Sequence, residues 1–116
     1  MVKIRHIHDP YDPKGPALTI VSELKFAPEA KYPQAINFAV AVCNPKDNFS
    51  RKTGVAMAQQ RLHDDQDCKY RRQVNLDMQR MPRAEELENL IDSHVVLMDL
   101  PYWAGRLMKD YLNYIK

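Results

Sequence analysis

The residues best suited to chemistry surround a predicted helix start in the middle of the chain. Lys46 lies there among the turn and cap residues 44–48, and Arg51 and Lys52 follow them. A helix amino terminus carries about half a positive charge and exposes unpaired N–H groups, so each cation in its first turn costs about 0.3–1 kcal/mol. An anion bound at this end reverses that cost. Phosphate is the usual ligand, because helix N–H groups point at it and arginine can contact two of its oxygens.

An ordinary solvated surface explains the same residues without a ligand, if Arg51 and Lys52 face water and pair with Asp47. Further arginines are compatible with a completed anion site, although solvated surface is the simpler interpretation for most of them: Arg5, Arg71, Arg72, Arg80, Arg83 and Arg106. Four aromatic residues suit stacking on a nucleobase, but their helical spacing favours core packing or a subunit interface: Tyr102, Trp103, Tyr111 and Tyr114.

Sequence signatures of catalysis are absent. The chain has no nucleophile elbow, P-loop, Rossmann glycine pattern or paired catalytic cysteine and histidine. A metal site built from His6, His8, His63, Asp64 and Asp65 lacks a recognised ligand spacing, so a structural or surface role is favoured for these histidines. We therefore predict a protein that is not an enzyme and that has neither a cofactor nor a metal site.

One stretch of sequence resembles a pattern found in short phage proteins. It consists of an apolar strand followed by Cys43-Asn44-Pro45-Lys46-Asp47, Phe49-Ser50-Arg51-Lys52, Gly54, Ala58 and Arg61-Leu62. The pattern is most similar to the first Thoeris anti-defence family. These are phage-encoded sponges that sequester cyclic-ADP-ribose isomers made by the host's TIR-domain immune enzyme. The similarity is confined to residues 43–62.

The resemblance implies a homo-oligomer of sheet and helices that holds an uncleaved cyclic nucleotide between protomers, and in some members cyclic oligonucleotides as well. Four positions match the segment and are implied to contact phosphate or ribose: Arg51, Lys52, Gly54 and Arg61. Lys46 and Arg106 complete the predicted ligand-binding set. Val55 departs from the family pattern, in which a basic residue often follows the glycine. A phosphate contact at this position, and any second ligand, are therefore not implied.

Apolar periodicity predicts the elements that must position these residues. Alternating residues indicate strands at 2–8, Ala17–Lys25, Ala35–Cys43 and Lys69–Asp77. The adjacent Arg71 and Arg72 make the last of these an edge strand or an exposed one. Helix formers and caps indicate helices at Phe49–Leu62, from Pro82, and from Pro101 after the cap Asp99. Residues 94–100 are compatible with helix or strand. We predict one compact α+β domain over residues 1–116, with an antiparallel sheet of three to four strands packed against about three helices.

The third predicted strand has one large-residue face and one face of mostly small residues, which is typical of a strand with a helix packed closely over it. Gly54, Ala56 and Ala58 would allow the first helix to make that approach.

Length and composition predict a cytoplasmic protein, and the resemblance to phage proteins implies the cytoplasm of the host cell. A chain of 116 residues accommodates one core, and its longest apolar run, 38–43, is far shorter than the about 20 residues that cross a bilayer. The sequence starts without a secretory signal pattern, and its two cysteines lack a Cys-x-x-Cys spacing. The net charge of +2 is unevenly distributed, with basic residues concentrated in the middle of the chain.

Two other functions fit the same residues. One is a small single-stranded nucleic-acid-binding protein that uses the basic middle and the tyrosines. The other is a direct protein inhibitor of a host factor, docked through an edge strand or the acidic final helices. The slope of affinity against salt distinguishes the first of these from a sponge, since a strand binder releases more counterions than one pocketed nucleotide does.

Overall fold

Strands and helices of the predicted kinds make up most of the described chain. The computed structural model describes residues 2–9, 12–42, 51–63, 70–77 and 79–115. In chain order the elements are β1 (Val2–Asp9), β2 (Asp12–Lys25), β3 (Ala35–Val42), α1 (Arg51–His63), β4 (Arg71–Asn75), α2 (Ala84–Val96) and α3 (Tyr102–Ile115). The predicted α+β fold is confirmed.

The four strands form one antiparallel sheet in the order β1-β2-β3-β4. Consecutive strands are neighbours, so β2 and β3 are central and the predicted edge position of β4 is confirmed. Ile20 in β2 lies opposite Arg5 of β1 and Val40 of β3, which sets the register across the middle of the sheet. Because side chains alternate along a strand, this register also determines which residues share a face.

The large-residue face of the sheet forms the main core with α2 and α3. The sheet contributes four of its largest buried side chains: Ile7, Ile20, Phe38 and Val40. The helices contribute another set: Ile91, Val95, Ala104, Leu107 and Met108. Full burial of each large apolar side chain stabilises the fold by about 1.5–3 kcal/mol, so this face supplies most of the hydrophobic stabilisation.

The small-residue face packs against α1, as predicted from the third strand. Val21, Ala39 and Ala41 of the sheet form a separate buried cluster with Ala58 and Leu62 of the helix. The last two residues are four apart and therefore share one helix face. The predicted role of Ala56 is wrong, since Ala56 is exposed and points away from the sheet side. Gly54 is half-buried.

Two predicted helix starts, at Pro82 and Pro101, are displaced by two residues and one residue, respectively. Residues 49 and 50 lie outside the described part of the chain, and α1 is helical from Arg51. Pro82 does not occupy the first turn of α2, because Arg83 is the N-cap and Ala84 the first helical residue. Pro101 is likewise the cap of α3, since its carbonyl accepts the N–H of Ala104 at 2.9 Å and of Gly105 at 3.0 Å.

In the segment 94–100, which the sequence left open between helix and strand, the first three residues belong to α2 and the others follow its end. Helical structure extends to Val96, and the N–H of Leu97 bonds back to the carbonyl of His94 at 3.1 Å. Leu97 itself is 83% exposed, so this position is no part of a buried strand. None of the helices in the described residues combines the length and apolarity that crossing a bilayer requires.

Substitution of Ala58 tests the close packing of α1. Ala58→Leu adds a large side chain to a fully buried site between backbone and small residues, and we expect the free energy of unfolding to fall by about 1–3 kcal/mol. The matched control is Ala56→Leu, the same change on the exposed side of the same helix, which should stay within about 0.5 kcal/mol of wild type. Urea denaturation measures both, and equal losses would contradict the packing described here.

The start of α2 predicts a specific response to acid. Arg80 donates two hydrogen bonds to the Glu86 carboxylate, at 2.8 and 2.6 Å, and the Arg83 N–H donates a third at 3.2 Å. The Arg80 bonds, followed by the Arg83 N–H, lower the pKa of Glu86 from 4.5 to about 2. A lowered pKa in the folded state stabilises the protein above pH 4.5, and this stabilisation disappears as the pH falls towards 2.

In Glu86→Gln this pH-dependent contribution is missing. The difference in melting temperature between wild type and variant should therefore be largest near neutral pH and shrink below pH 4.5. Glu85→Gln, at an exposed position in the same turn, is the control. A constant difference across the acid range would show that Glu86 acts through something other than its charge.

Candidate functional site

The first turn of α1 places two cations at the positive end of a helix. It contains Arg51, Lys52 and Gly54 and no acidic residue. By contrast, the first turn of α2 contains Glu85 and Glu86, the usual arrangement. Lys46 lies outside the described residues, as do the side chains of Arg51 and Lys52. The backbone alone therefore brings Arg51, Lys52 and Gly54 together, at an end of the helix whose charge suits an anion.

Arg61 lies at the opposite end of the same helix. Its Nη1 donates a hydrogen bond to the carbonyl oxygen of Val40, and its Cζ lies 5.1 Å from the centroid of the Tyr70 ring. At a rise of about 1.5 Å per residue, about 15 Å of helix separates it from Arg51. Within one chain Arg61 thus anchors the end of α1 to β3 and to the residue preceding β4, and it does not join the first turn.

Arg106 lies in the other helical layer. It is exposed on α3, whose buried residues Ala104, Leu107 and Met108 belong to the core on the large-residue face. Since α1 covers the small-residue face, the sheet separates Arg106 from the start of α1. The structure therefore does not bring Arg106 together with the other predicted ligand-binding residues in one chain.

The strongest charge cluster among the described residues joins β1 to α2. The Arg5 guanidinium donates to both carboxylate oxygens of Asp92, one of them at 3.2 Å. Beside it, the Lys3 ammonium lies 3.0 Å from the Glu88 carboxylate. Asp92 is 2% exposed, whereas Lys3 and Glu88 are half-exposed. Arg5 is therefore committed to a buried ion pair on the face away from α1.

The sequence contains a periodic signal for this cluster. Lys3 and Arg5 are two apart on a strand and share one face, while Glu88 and Asp92 are four apart on a helix and share another. Burial by itself lowers the pKa of Arg5, but the hydrogen bond and attraction to Asp92 outweigh it and raise that pKa. The Arg5–Asp92 pair connects the first strand to the helix layer.

Among the described histidines and aromatic residues, His6, Trp103 and Tyr111 have structural surroundings. His6 Nδ1 lies 3.0 Å from the hydroxyl of the buried Thr19. No group of three or more potential metal ligands occurs within the described residues, from which Asp64 and Asp65 are missing. Trp103 and Tyr111 pack against the main core, and Tyr102 is 83% exposed. The side chain of Tyr114 is not among those described.

Comparison of the chain with protein-family models, with curated proteins and with solved structures finds no match. A functional interpretation therefore depends on the geometry above and on the residue pattern of segment 43–62.

The buried pair can be tested by removing one partner. Asp92→Ala leaves the part-buried Arg5 charge without its carboxylate, and we expect a loss of about 3 kcal/mol in the free energy of unfolding. Glu88→Ala, one turn earlier on the same helix, removes only the half-exposed partner of Lys3 and should cost about 1 kcal/mol or less.

The double variant Arg5→Met/Asp92→Leu should recover much of the stability lost in Asp92→Ala, because it buries no unpaired charge. Chemical denaturation measures all three variants. An Asp92→Ala loss no greater than that of Glu88→Ala would contradict a structural role for the pair.

Proposed function

We propose that this protein is a non-enzymatic sponge that captures a cyclic nucleotide immune signal of the cyclic-ADP-ribose class. Its phosphates bind at the first turn of α1. The observation that carries the proposal is the composition of that turn, which contains Arg51 and Lys52 and has no acidic residue of its own. Without an anion, this arrangement opposes the helix dipole.

The anchoring of α1 supports phosphate binding at its start. Ala58 and Leu62 are buried against the sheet, and Arg61 holds the last turn through Val40 and Tyr70. A helix held in this way keeps the N–H groups of its first turn in a fixed orientation, so less entropy is lost when a ligand binds. Two charge-assisted contacts from arginine and lysine then add to the N–H groups at the same phosphate.

The distribution of the remaining predicted residues supports an oligomer. Arg61 and Arg106 lie away from the first turn of α1 in one chain, so they would reach a ligand bound there only from a neighbouring protomer. A domain of this size forms a deep pocket more readily at a symmetric interface than inside its own core. We therefore include a homo-oligomer with the ligand between protomers in the proposal.

The ligand class comes from the similarity of segment 43–62 to the Thoeris anti-defence sponges. Capture needs affinity without turnover, which agrees with a site composed of cations and backbone N–H groups. The host cytoplasm is the proposed location, because a TIR-domain enzyme would release the signal there.

Charge removal at the start of α1 tests the proposal. In Arg51→Ala/Lys52→Ala, affinity for cyclic ADP-ribose isomers should fall about tenfold or more per lost charged contact, measured by isothermal titration. The melting temperature should stay nearly unchanged or rise slightly, because two cations leave the positive end of a helix.

The matched control is Lys31→Ala/Lys109→Ala, which removes the same charge from exposed positions outside α1 and should bind like wild type. A large loss of stability in the Arg51/Lys52 variant would instead assign these residues a structural role.

Mass spectrometry of the heat-released ligand identifies what is bound. Wild-type protein is incubated with the products of an active TIR-domain enzyme, washed and heated. Recovery of an intact cyclic nucleotide supports a sponge, and a hydrolysed product indicates an enzyme. Failure to recover any nucleotide contradicts the proposal. A shallow salt dependence of binding agrees with one pocketed ligand, whereas a steep one indicates a nucleic-acid strand.

A further inference from the structure

We infer that a cavity between α2 and the sheet is a binding site for a small, uncharged, apolar molecule about the size of one six-membered ring. The cavity has a volume of about 160 Å³. Its apolar walls come from two strands and one helix: Ile20, Leu24, Ile36, Leu87 and Ile91. It lies on the large-residue face, whereas α1 covers the other face, so this inference is independent of the proposed nucleotide site.

The cavity has a closed floor and a mouth at the surface. Ile20 and Ile36, each 2% exposed, form the floor. Lys3 and Glu88 line the cavity as well, and both are half-exposed, so the cavity reaches solvent beside their ion pair. Exposed ion pairs of this kind contribute little to stability, so a ligand can displace this one at low cost.

The volume and lining suit a ring better than water. Protein interiors contain few voids larger than a water molecule. An engineered apolar cavity of roughly 150 Å³ in another protein stays dry and binds benzene or xenon. A stable buried water needs about two to four polar partners. Among the apolar walls the additional polar group is the Ser22 hydroxyl. The charged residues of the lining are already paired, Lys3 with Glu88 and Arg5 with Asp92, which lies outside the lining.

The charges around the cavity select against an ion. Lys3 and Arg5 are balanced by Glu88 and Asp92. A carboxylate or ammonium ligand would have to separate the buried Arg5–Asp92 pair or remain uncompensated in an apolar space, and both are costly. A neutral ring, or an aliphatic group of similar size, meets neither obstacle. The charged residues of the lining, Lys3, Arg5 and Glu88, already have ion-pair partners, so the cavity suits an uncharged ligand.

Titration with benzene tests the site directly. We expect saturable chemical-shift changes in the methyl groups of Ile20, Leu24, Ile36 and Leu87, with a dissociation constant of about 1 mM or tighter. Benzoate, which has the same ring and one negative charge, should bind about tenfold more weakly or worse. Absence of a saturable shift with benzene would overturn the inference, and equal binding of benzoate would overturn the assigned ligand class. Both measurements use the wild-type protein and depend on no variant.

Filling the cavity locates the bound ring. Leu87→Phe and, separately, Leu24→Phe extend a wall residue into the space, and each should weaken benzene binding about tenfold or more. Leu97→Phe is the control, since the same change at an 83% exposed position should leave binding unchanged. Benzene binding that survives in a folded filling variant would place the ring elsewhere and refute the site. Arg51→Ala/Lys52→Ala should retain benzene binding, so a failure of the nucleotide proposal remains distinguishable from a failure of this one.

Discussion

Strand β3 is buried on both faces, and the difference in side-chain size between those faces determines where the helices lie. The large side chains of Ile36, Phe38 and Val40 lie on one face, where α2 and α3 pack. The small side chains of Ala39 and Ala41 lie on the other face and allow α1 to approach closely. A one-residue slip of this strand would exchange the two sets, so its register with β2 is strongly specified. The candidate nucleotide site and the apolar cavity consequently occupy opposite faces.

Much of this architecture was predictable because it depends on local patterns. The alternation of Ile36, Phe38 and Val40 with small residues indicates both the strand and the helix above it, and both are confirmed. The predicted helix starts were less accurate than the predicted strands. Proline is compatible with the residues just before a helix as well as with its first turn, and the backbone hydrogen bonds determine which position Pro82 and Pro101 occupy. The pair of Arg5 with Asp92 was not predicted, because its members lie 87 residues apart and their meeting depends on the complete topology.

In the candidate site, too, local features were predictable from the sequence and long-range contacts were not. The occurrence of Arg51 and Lys52 in the first turn of a helix follows from local sequence, and the helix places them there. That Arg61 lies at the far end of the helix also follows from spacing alone. The helical layer in which Arg106 lies does not follow from spacing, because the packing of Leu107 and Met108 against the sheet determines it. Residue type indicated which side chains suit an anion, and tertiary structure determined which of them are neighbours.

The contacts of β1 with α2 also constrain how the molecule can come apart. Lys3 and Arg5 connect the first strand to a helix that follows the entire sheet in the chain. Loop-closure entropy grows only slowly with loop length, so this distant connection costs little more than a nearby one. Fraying of the first strand from the sheet therefore also breaks its ion pairs with the helix layer. Two segments from opposite halves of the polypeptide are in this way held together by side-chain contacts, which raises the cost of opening either one alone.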